Sequence, residues 1–298
     1  MTEHATPGTV GFIGLGTMGC HMARNLLKAG HAVHAYDVRP EAVAEISGAV
    51  PAASIAEAAR AADIVITMLP DTPDVEAVVL GPGGLADNPP PGGIVADMST
   101  ISPQAARRMH GLLAGRGVEL IDAPVSGGPV GALNGTLTIM AGGSAAAFAR
   151  ARSFFAAMGT TVTHVGGPGA GQTVKLCNQV MVAINIQSCC EALALARASG
   201  VDLAQMREVL MGGSAASWML DRLGPAMISG DASAGFRIDL MLKDLRLVAE
   251  MAQSLAVPLP GTALVTSQYV AARAHGEGGN GNQALFRVYD RMTNQVRD

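Results

Sequence analysis

Apolar residues run together at Val10 to Ile13 and again at Val33 to Tyr36. Between the two runs Met18, Met22, Ala23, Leu26 and Leu27 recur at the three- and four-residue spacing of one helix face. The pattern predicts strand, helix, strand, with Gly30 just past the helix where a closing glycine belongs. The alternation continues, with strands at Ala62 to Met68, Gly93 to Asp97, Val118 to Asp122 and Thr136 to Ala141. Helices are expected near Ser54 to Ala61, Pro73 to Leu80, Pro103 to Ala114 and Ser144 to Ala157. Strands separated by helices pair in parallel, because a parallel neighbour needs a crossover, so the pattern predicts a doubly wound, mostly parallel α/β sheet. The run Gly166-Gly167-Pro168-Gly169-Ala170-Gly171 breaks it, and beyond that point strand signals stop. Gln172 to Ser199 reads as one long helix closed by Gly200. Its apolar residues (Val174, Leu176, Val180, Met181, Ile184, Ile186, Leu193, Leu195) lie all around, the mark of burial on most sides. Lys175, Asn178, Gln179, Asn185, Gln187 and Glu191 interrupt it, which argues against a membrane span. Further helices are divided at Gly212-Gly213, Gly224-Pro225, Pro258 to Gly261 and Gly276 to Gly281. Two domains are therefore expected, residues 1–165 with the sheet and an all-helical 166–298 built on the long helix.

The turn after the first strand is Gly14-Leu15-Gly16-Thr17-Met18-Gly19, and the second strand ends on Asp37. A glycine triplet at this spacing between a strand and a helix, with an acid about twenty residues on, is the arrangement of the Rossmann-type dinucleotide-binding unit. Gly14 permits the turn, Gly16 admits a pyrophosphate, Gly19 lets the helix approach its strand, and the helix N-terminus supplies free N–H groups. Asp37 is placed to accept hydrogen bonds from the adenosine ribose, which favours NAD. Arg39 keeps NADP possible, because an arginine there can meet a 2′-phosphate; a solvated arginine and one stacked on adenine are its other readings. In a doubly wound sheet ligands bind beyond the carboxyl ends of strands. The segments Gly14 to Gly19, Leu69-Pro70, Ser99-Thr100 and Ala123 to Gly128 all fall at such ends and are expected to share one crevice.

A net charge of −4, with no stretch that concentrates Lys and Arg, argues against a nucleic-acid surface. Met1 to Gly8 carries neither a basic nor an apolar leader segment, so a cytoplasmic protein is expected. Cys20, Cys177, Cys189 and Cys190 form no C-x-x-C pair and are expected to be buried, reduced thiols, with no metal site.

Arginine outnumbers lysine so heavily that only Lys28, Lys175 and Lys243 remain. Arginine cannot release a proton near neutral pH, so a retained lysine is a candidate for work that needs an ammonium group. Lys28 stands at a helix C-terminus, where a cation is favourable in any case. Lys175 stands in the first turn of the long helix, where the macrodipole opposes it. Asn178 and Gln179 share its face, giving a proton donor with neutral hydrogen-bonding neighbours. A lysine reaching out from a buried helix is the plainer alternative. Lys243, within Gly235 to Leu245, reads equally well as part of a solvated helix face.

These motifs together resemble the β-hydroxyacid dehydrogenases, the family of 3-hydroxyisobutyrate dehydrogenase, from Val10 to about Asp290. The resemblance rests on Gly11 to Gly19, Met68-Leu69-Pro70, Asp97-Met98-Ser99-Thr100, Asp122 to Gly128, Lys175-Leu176-Cys177-Asn178-Gln179 and Lys243-Asp244-Leu245. Met211-Gly212-Gly213, Leu220-Asp221 and Gly235 to Leu240 are similar to the tartronate semialdehyde (2-hydroxy-3-oxopropionate) reductases within it. The resemblance implies reversible hydride transfer between NAD(H) and a small β-hydroxy acid or semialdehyde, without a metal, in a homodimer or homotetramer. It makes Lys175 the catalytic residue, and Ser126, Gly127, Gly128 and Asn178 the substrate contacts, with Phe236 and Asp239 lining the pocket. It assigns Leu69, Pro70, Thr100 and Lys243 to the dinucleotide beside Gly14, Leu15, Gly16, Thr17, Met18, Gly19, Asp37 and Arg39. Pro129 and Cys177 depart from the pattern, where an acidic or polar residue and an alanine are expected. An imine reductase, a 6-phosphogluconate dehydrogenase or a non-catalytic dinucleotide-binding module are the rival readings.

Overall fold

The computed structural model describes residues 7–294, so residues 1–6 of the segment read for leader signals lie outside the described residues. The chain divides into two compact units, with the division between Lys175 and Leu176.

In the first unit nine strands are seen among the described residues: β1 Thr9–Ile13, β2 Ala32–Tyr36, β3 Val50–Pro51, β4 Ile64–Thr67, β5 Ile94–Asp97, β6 Glu119–Asp122, β7 Val125–Ser126, β8 Leu137–Gly142 and β9 Gly159–Gly166. They form one sheet in the order β3-β2-β1-β4-β5-β6-β8-β7, with β9 on β8. Pairing is parallel from β3 through β6 and for β8 with β9; β8 runs antiparallel to β6 and β7. Strand residues of alternating direction enter separate cores. Phe12, Ile64, Ile66 and Ile94 pack with Met22 and Leu26 of the helix Gly19–Lys28. Ile13, Val65 and Val95 pack on the other face with Val75, Met109 and Leu113. Burial on both faces explains why these strands read as continuous apolar runs. The strand order reverses at β1 and β4, which opens the crevice above their carboxyl ends.

In the first unit three strands and two helices, the five-residue Pro40–Ala44 and the seven-residue Gly128–Asn134, go beyond the expected elements. β3 and β7 are two residues each, too short for any period, and both helices are also brief. β9 carries Thr161, Val162, Thr163 and Val165, a β-branched run, but its burial is partial and it leads straight into the glycine run.

The second unit contains only helices among its described elements. The body of the long helix Ala170–Ala198 is followed by Leu203–Met211, Trp218–Arg222, Gly224–Ser229, Ile238–Ser254, Pro260–Ala274, the short 3-10 turn Asn282–Leu285 and Phe286–Met292. Ala183, Ile186, Cys190 and Leu193 of the long helix meet Met241, Leu245, Tyr269 and Phe286 in its core. Two expectations are corrected here. The helix is not buried on most sides, since Met181 is 66% and Leu195 71% exposed and Ile184 also lies open. Its polar residues do not interrupt it enough to matter for length and composition, by which it is apolar enough to cross a membrane. Lys175, Gln179 and Gln187 are buried within the fold, Asn178 and Asn185 are half-buried and Glu191 is exposed. The cysteines are also mixed in setting: Cys189 and Cys190 are buried, Cys20 is half-buried and Cys177 is exposed.

Candidate active site

The glycine turn closes above β1. Gly14 has φ +96°, and a Cβ there would lie 2.4 Å from the Met68 carbonyl oxygen; one on Gly19 would lie 1.9 Å from that of Gly14. Gly19 is thus required by the turn itself as much as by helix packing. A Cβ on Gly16 would meet nothing within 4 Å. That open space, faced by the first N–H groups of the helix Gly19–Lys28, fits a pyrophosphate. Asp37 does more than wait for a ribose: Oδ2 accepts from Leu15 N at 2.7 Å and Oδ1 from Arg39 N at 2.9 Å. It braces the turn from the tip of β2. Arg39 leans back on Asp37 at 3.3 Å with its side chain 57% exposed.

Next along the sheet, β5 ends on Asp97, fully buried. Asp97 Oδ1 accepts from Thr67 Oγ1 at 2.8 Å and from Ser99 Oγ at 2.6 Å, and Ser99 Oγ in turn accepts from Leu69 N at 2.8 Å. The loop Leu69-Pro70 is therefore set by a carboxyl one strand away. Gln172 extends the network, donating through Nε2 to Ser99 O at 2.8 Å and accepting from Ile101 N at 3.0 Å. Asp122, at the end of β6, accepts from Gly169 N at 2.7 Å and Gln172 N at 2.9 Å, an N-cap for the long helix supplied from the sheet. Gly171 allows the fit, because a Cβ there would lie 2.3 Å from Met140 O. The start of the long helix is thus fastened to the ends of β5 and β6, and Lys175, 7% exposed, follows Gln172 by one turn.

Burial pushes the Asp97 carboxyl up to about 6, against the opposing bonds from Ser99 and Thr67. Asp122, its register partner on β6, is raised for the same reason. Asp97 Oδ2 has no hydrogen-bond partner among the described residues. Between pH 4 and 6 the folded chain holds a proton that the unfolded chain has released, so stability falls as pH rises through this window. Asp97→Asn is expected to remove a slope worth about 3 kcal/mol. Urea unfolding from pH 4.5 to 7.5 checks this; an unchanged slope in the variant refutes it.

Ser126 ends β7, and Gly127 (φ +130°) and Gly128 (φ +61°) follow in conformations that favour glycine. Pro129 falls in the first turn of the helix Gly128–Asn134, where a missing N–H costs nothing.

In the second unit Lys243 is not on a solvated face: its side chain is 16% exposed and its Nζ lies 2.9 Å from Asp244 Oδ1. Asp244 also accepts from Gln179 Nε2 at 2.5 Å, and Gln179 Oε1 accepts from Asn178 Nδ2 at 2.8 Å. Phe236 packs against the helical core. Asp239 opens the helix Ile238–Ser254, its carboxylate lying over Gly278. The first unit thus carries the glycine turn, Asp37, Arg39, Leu69, Pro70, Thr100 and Ser126 to Gly128 at or just beyond the ends of its strands, and Lys175 on the fastened start of the long helix. The second holds Asn178, Phe236, Asp239 and Lys243. Asp97, Ser99, Asp122, Gln172, Gln179 and Asp244 support them, roles that no local spacing announces.

Residues 9–166 match the model of the NAD binding domain of 6-phosphogluconate dehydrogenase. Residues 169–289 match that described as NAD-binding of NADP-dependent 3-hydroxyisobutyrate dehydrogenase. The chain belongs to the β-hydroxyacid dehydrogenase family. Members of this family are NAD(P)-dependent oxidoreductases that act on CH–OH groups, and this chain is one of them. It is 41% identical to 2-hydroxy-3-oxopropionate reductase of Escherichia coli, over 96% of this chain and 98% of the relative. To 3-hydroxyisobutyrate dehydrogenase of Pseudomonas aeruginosa it is 40% identical, over 90% and 94%. The solved structure of Mycobacterium tuberculosis 3-hydroxyisobutyrate dehydrogenase with L-serine superposes with a TM-score of 0.86 at 32% identity, covering 94% of this chain and 98% of that one.

Proposed function

We propose that this β-hydroxyacid dehydrogenase is a tartronate semialdehyde (2-hydroxy-3-oxopropionate) reductase that uses NADH, with Lys175 as its proton donor. The seat of Lys175 carries the reading: a nearly buried lysine, one turn past a helix start that Asp122 and Gln172 fasten to the strand ends. When bound, the reduced nicotinamide supplies a hydride to the aldehyde carbon. Lys175 Nζ gives a proton to the oxygen that becomes the alcohol and is reprotonated from solvent; in the reverse direction the neutral amine takes that proton as general base. In the first unit the N–H groups of Ser126, Gly127 and Gly128 are assigned to the substrate carboxylate, and in the second Asn178, Phe236 and Asp239 are assigned as substrate contacts. Leu69, Pro70 and Thr100 of the first unit are assigned to the dinucleotide beside the glycine turn, and Lys243 is the dinucleotide contact assigned to the second unit. Asp37 faces the ribose and would meet a 2′-phosphate with like charge.

We read residues 1–165 as the dinucleotide-binding domain and 166–298 as the substrate and dimerisation domain of a cytoplasmic homodimer or homotetramer. The open apolar side chains of Met181, Ile184 and Leu195 support association. The test is a panel of small hydroxy acids and semialdehydes run with NADH and NADPH. Tartronate semialdehyde is expected to give the highest kcat/KM, with NADH favoured by about tenfold or more. Preference for 3-hydroxyisobutyrate, L-serine or glyoxylate overturns the substrate, and preference for NADPH overturns the role of Asp37.

A further inference from the structure

The polar chain from Lys243 to Asn178 has a direction that chemistry dictates. An ionised carboxylate only accepts, and Asp244 takes the Lys243 ammonium on Oδ1 and the Gln179 amide on Oδ2. Gln179 must therefore turn its NH₂ toward Asp244, which leaves Oε1 toward Asn178. Asn178 must then donate through Nδ2. Asp244 is 1% and Gln179 3% exposed, so neither amide end has water to turn to, and reversal would set oxygen against oxygen in a dry setting. Asn178 is only half-buried, at the end of this relay.

We infer that Asp244 and Gln179 are positioning residues that fix the amide orientation of Asn178, so that Asn178 meets the substrate through its carbonyl oxygen and accepts from a substrate hydroxyl. This rests on the reading of Asn178 as a substrate contact. It also deepens the substrate class: an aldehyde carries no donor, so the hydroxyl read in reduction is a second one, on the carbon beside the aldehyde. A hydroxylated semialdehyde is selected over its deoxy analogue, because without the hydroxyl the Asn178 oxygen goes unpaired.

The experiment compares kcat/KM for 2-hydroxy-3-oxopropionate and 3-oxopropionate in the parent, in Gln179→Met, in Asn178→Ala and in the double variant. Gln179→Met is expected to lower the parent's preference for the hydroxylated substrate about tenfold. In the Asn178→Ala background the same change is expected to cost less than about twofold, since the role runs through that amide. NADH affinity, read by fluorescence titration, stays constant across the set. Should Gln179→Met fail to bind NADH, Gln179→Leu, which likewise removes the amide and leaves the Lys243–Asp244 pair in place, is used instead and is expected to lower the same preference. An equal cost in both backgrounds, or an unchanged preference in an active enzyme, overturns the positioning role alone. A parent inactive on every hydroxy acid and semialdehyde overturns the proposed function and this role with it.

Discussion

Lys175→Ala is expected to cut turnover by about two to four orders of magnitude, the usual share of a general acid or base, while NADH affinity changes by no more than about twofold. The asymmetry follows from where the residue sits. The glycine turn, Asp37 and the Leu69-Pro70 loop, which are proposed to hold the dinucleotide, are braced by the Asp37–Leu15, Ser99–Leu69 and Ser99–Asp97 bonds, which the substitution leaves in place. The fastening of the helix start runs through Gly169, Gln172 and Asp122, which the substitution leaves in place. Lys175→Met keeps most of the buried volume and is expected to match the alanine variant in rate. Lys175→Arg keeps the charge but cannot release a proton, so it is expected to stay inactive. Steady-state rates beside NADH titrations decide the matter, and near-normal turnover in the methionine or arginine variant would refute the assignment.

A paired substitution in the glycine turn separates folding from binding. A Cβ on Gly19 falls 1.9 Å from the Gly14 carbonyl oxygen, backbone against backbone, so Gly19→Ala must move the turn or the helix. The expected cost is about 3 kcal/mol or more in stability, together with loss of NADH binding. Gly16→Ala puts its methyl group into open space, so its thermal midpoint is expected to remain within a few degrees of the parent. Its NADH affinity nevertheless falls by about tenfold or more, because the methyl occupies the proposed pyrophosphate position. Thermal melts and NADH titrations on the two variants read both arms. Tight NADH binding by Gly16→Ala would place the pyrophosphate elsewhere.

What the sequence discloses well is whatever leaves a mark at short range. β1, the glycine turn and its helix are readable because the apolar period, the glycine spacing and the terminal acid all lie within one short stretch. The long helix is readable for its length, but not for which side stays open: Met181 and Leu195 are as apolar as Leu193, and only the packing of the second unit separates them. The supporting network is unreadable for another reason. Ser99 meets Leu69, Gln172 meets Ser99 and Asp122 meets Gln172 across strand and helix ends far apart in the chain, and such meetings have no period. Asp37 shows a partial success, since its position is evident from spacing while its grip on Leu15 is not.

The scarcity of lysine turns burial into a chemical handle. Lys28 lies open at a helix end, whereas Lys175 is nearly enclosed and Lys243 is held against Asp244. A mild acylating reagent will modify the side-chain amine of Lys28 first and reach the other two only as their surroundings loosen, so the order of labelling becomes a direct report on how tightly each unit holds its own buried lysine.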